Sequence, residues 1–229
     1  MSGFRSFAIL PAAGRSARMG SHKLLLPWQG RTLIDHVLDV WKASEVTRTV
    51  IVVRADDARL IDVCRRHDVH LVLPELAPAE MKISVQLALR HIDMTYAPLD
   101  TDVWLLAPAD LPQLNVQPIN RVLQAYDPIH PRLILPAYQG RRGHPALFPW
   151  TAARDVAQLG PAQGVNALID TRDILEIACD DDSILHDIDT PEDYMRASRL
   201  VSTDAGCWPC RPGPYIPSDD PGPERRNRS

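Results

Sequence analysis

A chain of 229 residues, 45% hydrophobic and with a net charge of −4 at pH 7, is long enough to bury one substantial α/β core. Its acidic balance argues against a general nucleic-acid surface, and no apolar run approaches the ~20 residues of a membrane helix. The amino end lacks a secretory h-region and four cysteines make no disulfide framework in a chain of this size, so the expected setting is cytoplasmic, with neither nucleic acid nor membrane as partner.

In chain order, Phe7–Leu10 reads as a buried strand, followed by a loop over 11–23 and a short apolar segment, Leu24–Pro27. Trp28–Arg31 reads as a turn. Thr32 is placed to N-cap a helix whose apolar positions Leu33, Ile34, Val37, Leu38 and Trp41 fall at helical spacing. The β-branched run Val50–Val53 is a central strand, Asp56–His67 an amphipathic helix with Leu60, Ile61 and Cys64 inward, and Val69–Leu73 a third strand. Met81–Leu89 opens a helix after the 74–80 loop. Val103–Ala107 is a fourth buried strand, ended abruptly by Pro108-Ala109-Asp110-Leu111-Pro112. Then come a helix over Val116–Tyr126, a strand over Leu133–Ala137, the loop Gly140–Pro145 and the apolar Ala146–Phe148. Helical stretches at Trp150–Leu159 and about 164–170 precede a strand at Ile174–Ala178 and a further candidate strand at Leu185–Ile188. Thr190-Pro191-Glu192-Asp193 has the cap, proline and acids of a helix start, and that helix is expected to run to about Val201.

Strands alternating with helices predict a mostly parallel sheet covered by helices on both faces, a three-layer α/β/α Rossmann-like architecture. Ligands then bind at the carboxyl ends of the strands. A single domain over 1–201 is expected, and the Pro/Gly/Ser/Asp/Arg-rich stretch 202–229 has the composition of a disordered tail. Cys207 and Cys210 have C-x-x-C spacing, but without a second Cys or His pair nearby a zinc site is incomplete.

The loop after the first strand, Leu10-Pro11-Ala12-Ala13-Gly14-Arg15-Ser16-Ala17-Arg18-Met19-Gly20-Ser21-His22-Lys23, carries the chemistry. Small residues permit a tight turn and close backbone approach to a ligand. Free N–H groups followed by the fixed charges of Arg18 and Lys23 suit a polyphosphate. Five residues separate Gly14 from Gly20, so this is neither a P-loop nor G-x-G-x-x-G. By itself such a turn is equally a tight βα connection with solvated arginines. Asp110, closing a buried strand at the same sheet edge, either caps the next turn or holds a divalent ion, because Mg²⁺ takes one or two carboxylates plus phosphates.

The stretch Ala12–Pro27, A-A-G-R-S-A-R-M-G-S-H-K-L-L-L-P, resembles the opening signature of the nucleotidyltransferases that act on the molybdenum cofactor, most of all the cytidylyltransferase (MocA-like) branch of the MobA-like NTP transferases. Pro11 is commoner in relatives that make nucleotide-sugars or a cytidylylated isoprenoid precursor. Ala-Asp-Leu-Pro at Asp110, Gly143-His144-Pro145 and Asp187-Ile188-Asp189-Thr190-Pro191-Glu192-Asp193 resemble further family motifs, and the resemblance extends over about 7–200.

The resemblance implies a Mg²⁺-dependent nucleotidyltransferase that transfers CMP from CTP to a molybdopterin-type acceptor and releases pyrophosphate. It implies nucleotide contacts from Ala12, Ala13, Gly14, Arg15, Ser16, Arg18, Met19, Gly20, Lys23 and Ser84, with Arg18, Lys23 and Asp110 catalytic. Gly143, His144 and Pro145 would lie by the acceptor. Asp110 would bind the ion together with Asp187 or Asp189, whose side chains share a face of an extended segment. A molybdoenzyme or its chaperone is the protein partner such an activity admits. Glu80 stands where the family has Gly, with no Asn upstream near Leu73, and Gly160-Pro161-Ala162-Gln163-Gly164-Val165-Asn166 lacks an Asp and an Arg expected on the acceptor side. Transfer to a sugar or alditol phosphate, or a non-catalytic nucleotide or cofactor carrier, are the alternatives.

Overall fold

A computed structural model describes residues 3–15, 19 and 22–204, the side chains of 200–204 excepted. β1 (Ser6–Pro11) is central. Its side chains alternate between two cores: Ala8 and Leu10 enter one, Phe7 and Ile9 the other. β4 (Arg48–Val52) and β6 (Val103–Leu106) flank it and divide their residues in the same way. This two-step alternation makes apolar runs serve both faces. α1 (Leu33–Ala43), α2 (Ala58–Cys64) and α4 (Val116–Gln124) cover one face, and α3 (Met81–Tyr96) and α5 (Ala153–Gln158) the other. The mostly parallel three-layer architecture is therefore the one expected.

The hairpin β2 (Pro27–Trp28) and β3 (Arg31–Thr32) turns at Gln29-Gly30 and leads into α1. With β5 (His70–Val72), β7 (Leu133–Tyr138), β8 (Arg141–Arg142), β9 (Ala146–Pro149) and β10 (Ile174–Ala178), the order across the main sheet is β10-β7-β9-β6-β1-β4-β5, with β8 on β7. Pairs β1–β4, β1–β6, β4–β5 and β7–β10 are parallel, whereas β9 runs antiparallel to β6 and β7.

Four expectations need correction. The apolar Ala146–Phe148 is a reversed strand inside the sheet. The stretch around 164–170 is a short 3₁₀ turn, Val165–Leu168, and Trp150–Ala152 is 3₁₀ before α5 begins. Leu185–Ile188 forms no strand: its amide Ile188 N–H donates to the Asp110 carbonyl (3.0 Å), a loop-to-loop bond with no ladder beyond it. α6 (Pro191–Asp204) continues past the helix end expected at about Val201. Residues 205–229, with Cys207 and Cys210, lie outside the described residues. Among the described residues no helix is long and apolar enough to cross a membrane, and Cys64 and Cys179 are free thiols.

Candidate functional site

β1 and β6 are adjacent and parallel, so the segments after them emerge at one edge. The backbone of Ala12 is tied to β4 (Ala12 N–H to Val52 O, 2.9 Å), and Ala12 and Ala13 are buried. Gly14 and Arg15 are exposed. Gly14 does not adopt a positive φ, and among the described residues nothing lies within 4 Å of where a Cβ would stand. Neither its φ nor the packing of the described residues demands glycine there. Met19 is 3% exposed and commits its side chain to the core. Ser16, Arg18 and Gly20 lie outside the described residues.

Lys23 follows in a short 3₁₀ turn, Lys23–Leu25. Its Nζ donates to Asp110 Oδ2, to the Ile188 carbonyl (2.9 Å) and to Asp189 Oδ1 (3.2 Å). Three segments remote in sequence thus meet at one ammonium. Burial works to lower its pKa, but Asp110 and Asp189 outweigh that and hold it above the ordinary lysine value. Burial pushes the Asp110 carboxyl above its usual range, Lys23 pulls it back, and Asp187 adds to the upward push. Two carboxylates, Asp110 and Asp189, thus meet the Lys23 ammonium, and Asp187 lies close enough to Asp110 to act on it.

Asp110 Oδ1 is buried and has no hydrogen-bond partner among the described residues, an expensive state for a carboxylate oxygen. Asp187 is exposed and close enough to Asp110 to act on its titration. One buried oxygen without a partner among the described residues and one exposed carboxylate beside it fit a hard dication completed by waters and phosphates. Among the described residues no three His, Cys, Asp or Glu side chains form a ready-made metal cage.

The Gly143-His144-Pro145 motif lies at the same edge, where the reversed β9 begins. Its first residue, Ala146, pairs with Leu106 at the end of β6, and His144 Nδ1 lies 3.4 Å from the Leu106 carbonyl. Burial lowers the His144 pKa, while the Leu106 carbonyl, Asp110 and Asp187 pull it up. Gly143 packs where a Cβ would stand 2.4 Å from the Ile184 carbonyl, and the His144 amide donates to that same oxygen (2.9 Å). Pro145 follows, buried, through a cis peptide bond. Thr190 and Asp193 form a reciprocal cap at the start of α6: Thr190 N–H donates to Asp193 Oδ2 (2.9 Å) and Asp193 N–H to Thr190 Oγ1 (3.2 Å). Asp193 Oδ2 also accepts the Asp189 N–H (3.3 Å), tying the end of the 187–189 segment to the cap.

Ser84 is 2% exposed in the first turn of α3, so the structure places it in packing rather than on an open face. Nearby, Lys82 donates from Nζ to the Gly160 (2.8 Å) and Pro161 (3.1 Å) carbonyls, tying α3 to the segment that departs from the family pattern. Sequence reasoning passed over His22, Arg54 and Asp57, which surround the loop. The available signal was their setting: Arg54 and Asp57 follow the strand beside β1, at the same carboxyl edge.

The MobA-like NTP transferase domain model matches residues 8–177. Over 189 residues the chain is 23% identical to the molybdenum cofactor cytidylyltransferase of Escherichia coli (strain K12), covering 82% of this chain and 93% of that protein. A 77-residue stretch is 42% identical to the 2-C-methyl-D-erythritol 4-phosphate cytidylyltransferase of Azoarcus sp. (strain BH72), covering 32% of this chain and 31% of that protein. Among solved structures, Rv0371C of Mycobacterium tuberculosis H37Rv in complex with manganese superimposes with a TM-score of 0.70 at 23% identity, covering 85% of this chain and 98% of that one. Together with the glycine-bearing loop and the carboxylates that meet at Lys23, these matches show that the chain belongs to the MobA-like NTP transferase domain family and is a nucleotidyltransferase.

Proposed function

We propose that the chain transfers CMP from CTP to a molybdopterin-type phosphate acceptor, with Mg²⁺ as cofactor and pyrophosphate as leaving group. The observation that carries the reading is the meeting of Lys23, Asp110 and the 187–189 segment beside an exposed glycine, with one Asp110 oxygen buried and unpaired among the described residues. The cytidylyltransferase from Escherichia coli, matched over nearly its whole length, supports the choice of nucleotide and acceptor.

The acceptor's phosphate oxygen attacks the α-phosphorus of CTP, and the bond from that phosphorus to the bridging oxygen of pyrophosphate breaks. The protein contributes position and charge rather than a covalent intermediate. The backbone of Ala12–Gly14 is assigned to the phosphates, with Arg15 at the rim, and Ser16, Arg18 and Gly20, which lie outside the described residues, are assigned as nucleotide contacts from the sequence alone. Lys23, fixed by its three acceptors, keeps a protonated charge beside the phosphate path. Asp110 through Oδ1 and Asp187 would hold the Mg²⁺, which supplies charge neutralisation on phosphate oxygens. Asp189 serves Lys23. Gly143, His144 and Pro145 bound the acceptor side, with burial favouring a neutral His144 ring.

A second reading, an alditol phosphate as acceptor, is favoured by the stretch shared with the Azoarcus enzyme. The test is pyrophosphate release across the four NTPs with Mg²⁺, each paired with molybdopterin and with alditol and sugar phosphates. Release confined to CTP with molybdopterin supports the first reading, and release with an alditol phosphate supports the second. Nucleotide binding without release from any pair would sink both and favour a carrier.

A further inference from the structure

The glycine-bearing loop is held from the neighbouring strand at two points. β4 lies beside β1, so the turn after β4 runs along the loop after β1. From that turn Arg54 donates Nη1–H to the Gly14 carbonyl (3.4 Å) and Nε–H to Asp56 Oδ1 (2.8 Å). Asp57 Oδ2 meets His22 Nε2 at 2.5 Å, and Arg54 Nη2 stands 3.6 Å from the same oxygen. Arg54 therefore touches the upstream end of the loop, and Asp57 touches the downstream end next to Lys23.

Asp57 is itself a fixed post. Its Oδ1 accepts the Leu60 N–H (3.2 Å) as the N-cap of α2, and its amide donates to the Arg54 carbonyl (3.1 Å). Its side chain is 6% exposed and that of Arg54 14%. Among the described residues the other ring nitrogen of His22, Nδ1, is buried without a hydrogen-bond partner and Asp57 provides the ring's one hydrogen bond. The His22 carbonyl accepts the Leu25 amide (2.9 Å), closing the turn that carries Lys23. The pull on Lys23 from the Asp110 side is strong. Something on the opposite side must keep the loop's two ends at a fixed spacing if a triphosphate is to enter between them.

We propose that Arg54 and Asp57 are positioning residues for nucleotide binding: Arg54 through Gly14 and Asp57 through His22 set the spacing between the loop backbone and Lys23. This rests on the reading of the site as a triphosphate cradle. Neither residue needs to touch the nucleotide. Their contribution is preorganisation, which lowers the ordering cost at binding.

The experiment compares the full wild-type chain with His22→Ala, Arg54→Ala, Asp57→Ser and His22→Gln. Serine keeps an oxygen to cap α2 but is too short to reach His22. Glutamine keeps an N–H donor at the reach of Nε2. Amide deuterium exchange at Ala12–Arg15 and Leu24–Leu26, read without ligand, reports the clamp. Calorimetric titration with CTP and Mg²⁺ reports its consequence. The first three variants are expected to exchange faster at those amides alone, to keep the wild-type melting temperature, and to bind CTP about tenfold more weakly, the scale of one charge-assisted hydrogen bond. The doubly substituted His22→Ala/Asp57→Ser chain should lose no more than either single variant, and His22→Gln should recover most of the loss. Unchanged exchange and CTP affinity in His22→Ala and Arg54→Ala would overturn the proposal, as would faster exchange spread over the whole sheet. A wild-type chain that binds no nucleotide sinks the triphosphate reading instead, and the exchange difference then upholds or overturns the mechanical clamp by itself.

Discussion

At Lys23 one ammonium satisfies two carboxylates and a backbone carbonyl. Its loss would take away the charge proposed to meet the departing pyrophosphate and would remove the Lys23 donor from Asp110. Lys23→Ala is therefore expected to lower turnover by about 10²-fold or more, read by steady-state pyrophosphate release. Asp110→Asn keeps the shape and a hydrogen-bond acceptor but removes the charge that suits a dication. It should abolish Mg²⁺-dependent release, and a magnesium titration checks this. Gly14→Ala tests a different property. The added methyl meets no described atom and needs no forbidden φ, so the melting temperature should stay at the wild-type value. CTP affinity should fall about tenfold or more if the phosphates approach that backbone closely. Lys23, Asp110 and Gly14 were legible in the sequence because residue type and placement after a strand both pointed to phosphate chemistry. His22, Arg54 and Asp57 were not. Their meaning lies in contacts across two strand ends, and no local spacing encodes that pairing.

At the scale of the element, α1 shows what local reading catches and what it leaves out. Thr32 was legible as the N-cap, and it does accept the Asp35 amide. The reciprocal half is Asp35 Oδ2, which accepts from the Thr32 amide (3.2 Å) and hydroxyl (2.5 Å). Asp35 Oδ1 also meets His67 Nε2 at 2.8 Å, joining α1 to the segment after α2, a contact no periodicity reveals. Burial works against ionisation of Asp35, but Thr32, His67 and Arg31 together hold its carboxyl well below the usual carboxylate range. A carboxyl depressed in the folded state stabilises the fold above its unfolded pKa of about 4. That stabilisation is lost as pH falls through the lower folded value. Asp35→Asn should cost about 1–2 kcal/mol at pH 7, and the gap to wild type should narrow as the pH is lowered toward 2. Urea denaturation at a series of pH values checks the sign. A gap that widens on acidification would show that the ionised carboxylate is not the stabilising form.

Over the whole molecule, the alternation of strands and helices made the three-layer plan legible, and the reversed β9 did not follow from it. Three apolar residues at 146–148 carry no sign of direction, and one antiparallel strand in a parallel sheet is decided by what its neighbours leave open. Trp104 and Phe148 stack across the β6–β9 pair with ring centroids 4.1 Å apart, so the reversal is secured by packing between residues 44 positions apart. β7 runs in the direction of β6 and ends at the carboxyl edge, where the reversed β9 begins, so Gly143 and His144 between them lie at that edge beside the segment that ends in Asp187 and Asp189. Gly143 is the contact point. A methyl there would stand 2.4 Å from the Ile184 carbonyl, a backbone atom that cannot rotate away. Gly143→Ala must therefore displace either the His144 loop or the 184–189 segment, and the hydrogen bond from the His144 amide to the same carbonyl makes them move together. Overpacking of this kind costs about 1–3 kcal/mol, to be measured by urea denaturation. The functional signature should be joint. The Mg²⁺ concentration for half-maximal pyrophosphate release and the KM for acceptor should both rise, because one contact positions the carboxylate segment and the acceptor loop. A rise in acceptor KM with an unchanged magnesium requirement would show that the two segments are placed independently.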